Sequence, residues 1–253
     1  MFRTHRDLIF VAAYFAWTET RARYRRSVLG PLWITLGTLI GSLGLAFVWA
    51  TILNSNVDEF IPYITIGIVL WQVVSGAITE AAGNFYRNIT TFQERPMSPY
   101  FFSYQLTFKG LVSLAHSLPF IILILVAMGT DLRGTELWAI PGILILFGHI
   151  FWITHLIAFL GARYRDLDPM LSNLMPIIFF LTPILYDAER LGDFRFLADF
   201  NPFTYLIDVV RGPLIGVAPD FRVYGTLLAV LLIGIWLSVF FNHKIGRKLL
   251  HWM

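Results

Sequence analysis

Six long apolar runs dominate the chain, and no Asp, Glu, Lys or Arg interrupts them. They are 18 to 31 residues long and cover 27–57, 60–79, 110–130, 137–162, 169–186 and 223–243. A helix needs about 20 apolar residues to cross the hydrocarbon core of a bilayer, so the pattern predicts an all-α membrane protein with six transmembrane helices. The fifth run is the shortest and contains Pro176 and Pro183, which favour a bent or partly re-entrant helix there.

The composition agrees with a lipid-facing surface. The chain has 253 residues, of which 57% are hydrophobic and only 14% are charged, whereas soluble domains carry about 25% charged residues. There are no cysteines, which excludes disulfides and thiolate metal sites and is typical of a protein kept in a bacterial inner membrane. We expect one transmembrane domain, residues 1–253, with no separate soluble module.

The distribution of basic residues predicts the orientation. With the N-terminus inside, the cytoplasmic segments hold 13 of the 19 Lys and Arg residues, and the outer segments hold five. The remaining one, Lys109, stands near the start of the third run. By the positive-inside rule both termini are cytoplasmic.

Residues 1–26 form a predicted interface helix. Leu8, Val11, Ala12 and Phe15 recur with helical spacing, while charged residues occupy other faces. Two interpretations are open: an anchor that only defines topology, or a lever beside a substrate entrance.

Residues 81–100 form a polar cytoplasmic segment that is helix-compatible up to Glu94 and closed by Pro96 and Pro99. A solvated connector would explain it. Its mixture of aromatic and charged side chains also suits docking onto a soluble partner.

Residues 187–222 form a long outer segment with a markedly apolar stretch. Asp199, Asp208 and Arg211 disfavour a full crossing, and such a crossing would also move the basic C-terminus outside. Short re-entrant helices, turned by the Asn-Pro pair at 201–202 and the Gly-Pro pair at 212–213, are the better interpretation.

The apolar runs contain few residues that could catalyse a reaction or bind an ion. No G-x-x-x-x-G-K-[ST] phosphate loop is present, and no Asp or Glu stands inside a run, as ion-coupled transporters usually require. If the protein moves a substrate, the energy must come from another chain. His116, His149 and His155 are scattered within runs and favour helix–helix hydrogen bonds or a polar lining over metal binding.

Aromatic residues make up 16% of the chain. Most suit an interfacial aromatic belt or helix packing. A minority could instead stack against sugar rings in a channel. The channel-lining candidates are Tyr14, Trp33, Tyr63, Trp71, Phe179, Phe180 and Tyr186.

A specific signature follows the N-terminal helix, where residues 23–33 read RYRRSVLGPLW. This stretch, the Glu-Arg-Pro at 94–96, the ARYRDLDP at 162–169 and the Asn-Pro at 201–202 occur in the order found in one family. The chain thereby resembles the membrane subunit of ABC exporters for polysaccharides, a group that exports O-antigen, capsule and teichoic acid. The RRSVLGPLW stretch is most similar to O-antigen permeases.

The resemblance implies a homodimer with a channel at the two-fold interface and two copies of a separate ATPase. No cofactor is expected in this chain, since ATP and Mg would be bound by the partner, and no nucleic acid is expected. The substrate would be a glycan on a polyprenyl diphosphate or phospholipid carrier. The ATPase-coupling residues implied by the resemblance are Tyr86, Arg87, Asn88, Phe92, Gln93, Glu94 and Arg95.

The resemblance also suggests a role for Arg21, Arg23, Arg25 and Arg26. Arginine binds phosphate through two parallel hydrogen bonds, and these residues lie at the depth of a carrier's diphosphate. Attraction to anionic lipids explains them as well.

Two alternatives to a polysaccharide permease follow from the same residues. The first is a membrane-embedded enzyme of lipid or glycan assembly, for which Asp166 and Asp168 with Arg163 and Arg165 form the nearest cluster. The second is an ABC exporter of a smaller lipid or drug.

Overall fold

The computed structural model describes residues 5–23, 32–90, 97–131, 134–246 and 249. Within these ranges the chain is helical and forms no strand. The α-helices in chain order are α1 (His5–Arg23), α2 (Leu32–Ile52), α3 (Val57–Ala82), α4 (Asn84–Arg87), α5 (Tyr100–Ala127), α6 (Ala139–Arg163), α7 (Leu167–Leu181), α8 (Phe196–Asp199), α9 (Pro202–Leu214) and α10 (Phe221–Ile245). Short 3-10 helices cover Thr135–Trp138 and Ala188–Phe194.

Among the described residues, four helices are long and apolar enough to cross a membrane: Val57–Ala82, Tyr100–Ala127, Thr135–Arg163 and Phe221–Ile245. Two further apolar segments, Leu36–Ile52 and Leu167–Leu181, are shorter. The second, third, fourth and sixth predicted runs therefore each coincide with a long helix.

The helices do not begin and end where the charge-free runs do. Helix α5 begins at Tyr100, ten residues before its run, and so contains Lys109. Helix α7 contains Pro176 without ending there, yet it stops at Leu181, before its run is complete. Thr182 adopts an extended backbone because the following Pro183 disfavours the helical conformation at the preceding residue.

Helix α3 is the most buried of the four long helices and packs against α2, α5, α6 and α7. Its crossing with α6 is close because Gly161 lies against the Ala82 carbonyl, where a Cβ atom would overlap the carbonyl oxygen. Gly142, near the start of α6, faces the Val209 carbonyl of α9 in the same way. Glycine at these positions lets the backbones approach, as is common between membrane helices.

Helix α3 also defines two ends of the bundle: the first end, where α3 terminates, and the second end, where α3 begins. A hydrophobic cluster at the first end joins Leu8 of α1, Phe85 of α4, Phe102 of α5, Phe159 of α6 and Leu249. Helix α1 and the end of the described chain therefore lie at the same end of the bundle.

Helix α1 packs along α5. Leu8, Ala12 and Ala16 form its buried stripe, at intervals of four residues. Phe15 contacts the ring of Phe101 edge-on but remains partly exposed. Phe10 and Trp17 are exposed on other faces.

The chain between α7 and α10 enters the bundle from the second end and returns to it. Arg190 hydrogen-bonds Ser55 at the second end, whereas Phe203, at the start of α9, packs against Trp71. Trp71 stands eight residues after Tyr63 in α3. Trp71 therefore lies about 12 Å further from the second end than Tyr63. Arg211, near the end of α9, is again level with Tyr63.

Candidate functional site: polar clusters at the two ends of the bundle

A network around Lys109 ties three helices together at the first end. The Lys109 ammonium lies 2.7 Å from Glu19 of α1 and 2.6 Å from Glu80 of α3. Gln105, one turn before Lys109, donates a further hydrogen bond of 2.7 Å to Glu19. Lys109 is largely shielded from solvent, while both carboxylates are about half exposed. One lysine thus connects the predicted interface helix to two long helices of the bundle.

A second network lies about two turns beyond Glu80, where α4 follows α3. Arg87 of α4 donates 2.9 Å to the backbone carbonyl of Glu80 and pairs at 3.0 Å with Asp168, in the first turn of α7. The Tyr86 hydroxyl donates to the same carboxylate, and this bond raises the pKa of Tyr86. The end of α3, helix α4 and the start of α7 are therefore joined.

Three of the seven predicted coupling residues are in this network or beside it. Tyr86 and Arg87 bind Asp168, and the Asn88 amide donates to both the carbonyl and the side chain of Asn84 at 2.8 Å. Phe92, Gln93, Glu94 and Arg95 lie outside the described residues. Their predicted role remains a prediction.

The predicted carrier-binding arginines are described only in part. Arg21 is exposed on the last turn of α1. The side chain of Arg23 and all of Arg25 and Arg26 lie outside the described residues. A polar cavity of about 390 Å³ separates the end of α1 from α4 and includes Glu19, Asn84 and Asn88 in its lining.

The second end is organised around Arg211, which is 1% exposed. Its guanidinium carbon lies 3.7 Å from the centroid of the Tyr63 ring, and its Nη2 donates 2.9 Å to the Pro183 carbonyl. Its Nε donates 3.0 Å to half-exposed Asp208. Gly67 makes room for this side chain, since a Cβ there would lie 3.0 Å from Nη1. Arg211 thereby connects α9, the turn after α7 and α3.

The predicted channel-lining residues fall into separate groups. Tyr14 of α1 is exposed near the first end, and Trp33 is exposed at the start of α2. Trp71 is 6% exposed within this chain and packs between Phe179 and Phe203.

Tyr63, Phe180 and Tyr186 are connected by hydrogen bonds towards the second end. The Tyr63 hydroxyl donates to the carbonyls of Pro183 and Tyr186 at 3.0 and 3.1 Å, and the Tyr186 hydroxyl donates to the Phe180 carbonyl at 2.9 Å. The Phe180 ring is exposed. Five of the seven candidates therefore lie in the region of α3, α7 and the turn after α7.

Sequence reasoning missed Lys109 and Arg211 as functional candidates. Both carried a usable signal, because an ionisable residue next to or within a long apolar stretch marks a functional site by default. Their partners, Glu19 and Tyr63, stand far away in the sequence and could not be read from spacing.

The histidines and Asp168 make structural contacts. His155 of α6 shares a buried hydrogen bond of 2.9 Å with Ser103 of α5, which is the helix–helix role expected of it. His149 bonds the Ile145 carbonyl of its own helix. Asp168 belongs to the cluster considered for a membrane-embedded enzyme. Its carboxylate accepts hydrogen bonds from Tyr86 and Arg87.

These features define a helical, multi-pass membrane protein whose polar contacts concentrate at the ends of the bundle. The profile of the ABC-2 type transporter family matches residues 13–215, which is most of the chain. The chain therefore belongs to the ABC-2 type transporter family, and the resemblance inferred from its motifs is confirmed. Membership implies pairing with an ABC ATPase subunit.

Three similar proteins are named as O-antigen export permeases. An O-antigen export system permease protein RfbA of Klebsiella pneumoniae is 24% identical over 195 residues, covering 75% of this chain and 74% of the relative. A second such protein from the same species is 25% identical over 195 residues, with the same coverage of both chains. The protein of that name from Myxococcus xanthus is 26% identical over 177 residues, covering 69% of this chain and 67% of the relative.

Proposed function

We propose that this chain is the permease of an ATP-driven exporter that moves a lipid-linked polysaccharide, an O-antigen on a polyprenyl diphosphate, across the bacterial inner membrane. The family match over residues 13–215 carries the proposal. The relatives named as O-antigen export permeases support the substrate class. The chain has no phosphate-loop motif, and this supports the binding of ATP and Mg by a partner subunit.

In the proposed assembly, two copies of this chain pair with two copies of the ATPase. Tyr86, Arg87 and Asn88 belong to the segment that docks on the ATPase. The contacts of Tyr86 and Arg87 with Asp168 would transmit movement of this docking segment to α7. The bond from Arg87 to Glu80, and the pair of Glu80 with Lys109, would connect the segment to α1. This continuity supports α1 as a lever beside the substrate entrance rather than a passive anchor.

In the proposed topology, helices α2, α3, α5, α6, α7 and α10 cross the membrane, with both termini in the cytoplasm. The excess of basic residues in the predicted cytoplasmic segments supports this orientation. Helix α7 spans only about 22 Å, less than the roughly 30 Å of hydrocarbon, so the turn at 182–186 completes its crossing.

Helices α8 and α9 would be re-entrant from the outer side in this topology. The packing of Phe203 against Trp71, below the level of Arg211 and Tyr63, supports this interpretation.

The test is reconstitution of the permease with its ATPase in liposomes that contain the lipid-linked glycan. We expect the glycan to become accessible on the far side only when both subunits and ATP are present. Deletion of the permease in cells should leave the lipid-linked glycan on the cytoplasmic face. Transport by this chain alone, or accumulation of a smaller lipid instead of a glycan, would contradict the proposal.

A further inference from the structure

Two cavities open side by side at the second end of the bundle. The larger has a volume of about 830 Å³ and the smaller about 320 Å³. Tyr63, Asp187, Ile215 and Val217 line both, so the two form one continuous recess, named the outer vestibule below. Each volume lies within the range of about 300 to 1,000 Å³ that is usual for small-ligand sites.

The charges that line the outer vestibule are mostly negative. In the described part of the chain, the larger cavity has four carboxylates and one guanidinium, and the smaller has three carboxylates and one guanidinium. The guanidinium of the smaller cavity is Arg211, which is buried against Asp208 and Tyr63. A phosphate or carboxylate entering this recess would meet like charges, which are repulsive and costly when partly desolvated.

The remaining lining suits a ligand rich in hydroxyl groups. Asn54, Ser55 and Asn56 line the larger cavity with amide and hydroxyl groups, of which Ser55 also accepts from Arg190 and Asn56 also bonds Glu59. The carboxylates accept hydrogen bonds from hydroxyls. The ring of Tyr63 is stacked with that of Phe60, with centroids 5.9 Å apart, and both line the larger cavity. Because Phe60 and Arg211 pack on the Tyr63 ring, the two aromatic side chains add an apolar wall beside the polar groups rather than an open stacking face.

The arrangement does not resemble a cation site. Within the described residues, no three His, Cys, Asp or Glu side chains converge as a bound metal ion would require. The carboxylates are instead distributed around the recess, from Asp58 at the start of α3 to Asp220 at the start of α10.

We infer that the outer vestibule binds a hydroxyl-rich stretch of glycan that lacks phosphate and carboxylate groups. The inference rests on the proposed function, which supplies a glycan at this face, and it narrows the substrate class. Neutral and amino-bearing sugars fit the recess, whereas a polymer of phosphodiester units does not.

The test uses the complete permease–ATPase complex in nanodiscs. Because the natural chain has no cysteine, Val217→Cys places a single environment-sensitive fluorophore in the vestibule. Phe200→Cys, at an 87% exposed position that lines neither cavity, is the matched control. If Val217→Cys does not assemble with the ATPase, the neighbouring Ala218→Cys replaces it. The probes are short oligomers of glucose, of glucosamine and of glycerol phosphate.

We expect the glucose and glucosamine oligomers to change the fluorescence at 217 saturably, with little change at 200. The glycerol phosphate oligomer should reach half-saturation at a concentration about tenfold higher. Removing two charges with Asp58→Asn and Asp187→Asn should weaken glucosamine binding and reduce its advantage over glycerol phosphate. Asn keeps the capping role of Asp187 at the Ala188–Phe194 helix, so the fold should persist.

Three results would overturn the inference: no saturable response to any sugar in a complex that exports glycan, an equal response at 200, or equal binding of glycerol phosphate. The first of these leaves the proposed function intact. Conversely, a charge-selective response at 217 in a complex that transports no lipid-linked glycan supports the vestibule and refutes the proposed function.

Discussion

The guanidinium carbon of Arg211 lies 3.7 Å from the centre of the Tyr63 ring, and the Arg211 side chain is almost fully buried. A cation buried in such a place is stabilised only by its partners, and Arg211 has the ring, the Pro183 carbonyl and Asp208. The pair therefore holds the outer segment onto α3.

Replacing Arg211 with Met should destabilise the protein by about 1 to 2 kcal/mol, because half-exposed Asp208 loses its donor and the Pro183 carbonyl keeps only the Tyr63 hydroxyl. The measurement is thermal unfolding of the purified protein in detergent. The control is Arg195→Met, which removes an exposed pair with Asp199 at 3.6 Å and should cost at most about 0.5 kcal/mol. Equal effects of the two variants on the unfolding temperature would show that Arg211 does not hold the outer segment onto α3.

Gly161→Ala should weaken the crossing of α3 and α6. The added methyl group overlaps the Ala82 carbonyl, which is backbone and cannot rotate away. We expect a loss of about 2 kcal/mol in the free energy of unfolding. Gly76→Ala, in α3 with open space around its Cβ position, should be neutral or stabilising by up to about 1 kcal/mol. A tolerated Gly161→Ala would contradict the close approach of the two helices.

The link between α1 and α5 can be measured with a double-mutant cycle on Glu19 and Lys109. Glu19→Gln, Lys109→Met and the double variant should give a coupling energy of about 0.5 to 1 kcal/mol that falls as salt is added, since Glu19 is half exposed. A cysteine introduced at buried Ala16 should react faster with a thiol reagent in the Lys109→Met background, because α1 is held less firmly. Unchanged reactivity and zero coupling would leave Lys109 without a role in positioning α1.

In the proposed exporter, Asp168→Asn should uncouple ATP hydrolysis from export. The change weakens the contacts with Tyr86 and Arg87 that join α4 to α7. We expect the amount of glycan exported per ATP hydrolysed to fall by about threefold. This factor corresponds to the free energy of one partly exposed charge pair. Asp166→Asn changes an exposed aspartate in the same loop and serves as the control. A similar loss in both variants would indicate a general effect of loop charge.

The Tyr86–Asp168 bond should show a defined pH dependence. The bond raises the pKa of the Tyr86 hydroxyl, so its stabilising effect is fully present below about pH 10 and is lost as pH rises through the raised value. Tyr86→Phe should be about 0.5 kcal/mol less stable than the natural chain near pH 8. The two should converge in more alkaline buffer. A constant difference in stability across this pH range would contradict the assignment.

Much of the helical framework could be predicted from the amino-acid pattern. Long charge-free runs coincide with α3, α5, α6 and α10, because the preference of apolar side chains for lipid is local and needs no knowledge of contacts. The family assignment also followed from short motifs, and the profile match confirmed it.

Helix boundaries were predicted less well. Lys109 lies inside α5 although it stands just outside the apolar run, since Glu19 and Glu80 neutralise it from other helices. Glu19 is 90 residues from Lys109 in sequence, so no local pattern could reveal the pair. The early end of α7 was more predictable, because Pro183 restricts Thr182 directly.

The sequence by itself determined the membrane class, the family and the positions of four long helices. Each of these depends on residue type and neighbours in sequence. Only the tertiary structure decided that Arg211 rests on Tyr63, that Trp71 is enclosed by Phe179 and Phe203, and that the outer carboxylates surround one recess. Those relationships depend on how separate helices pack, which the shapes and charges of distant residues determine together.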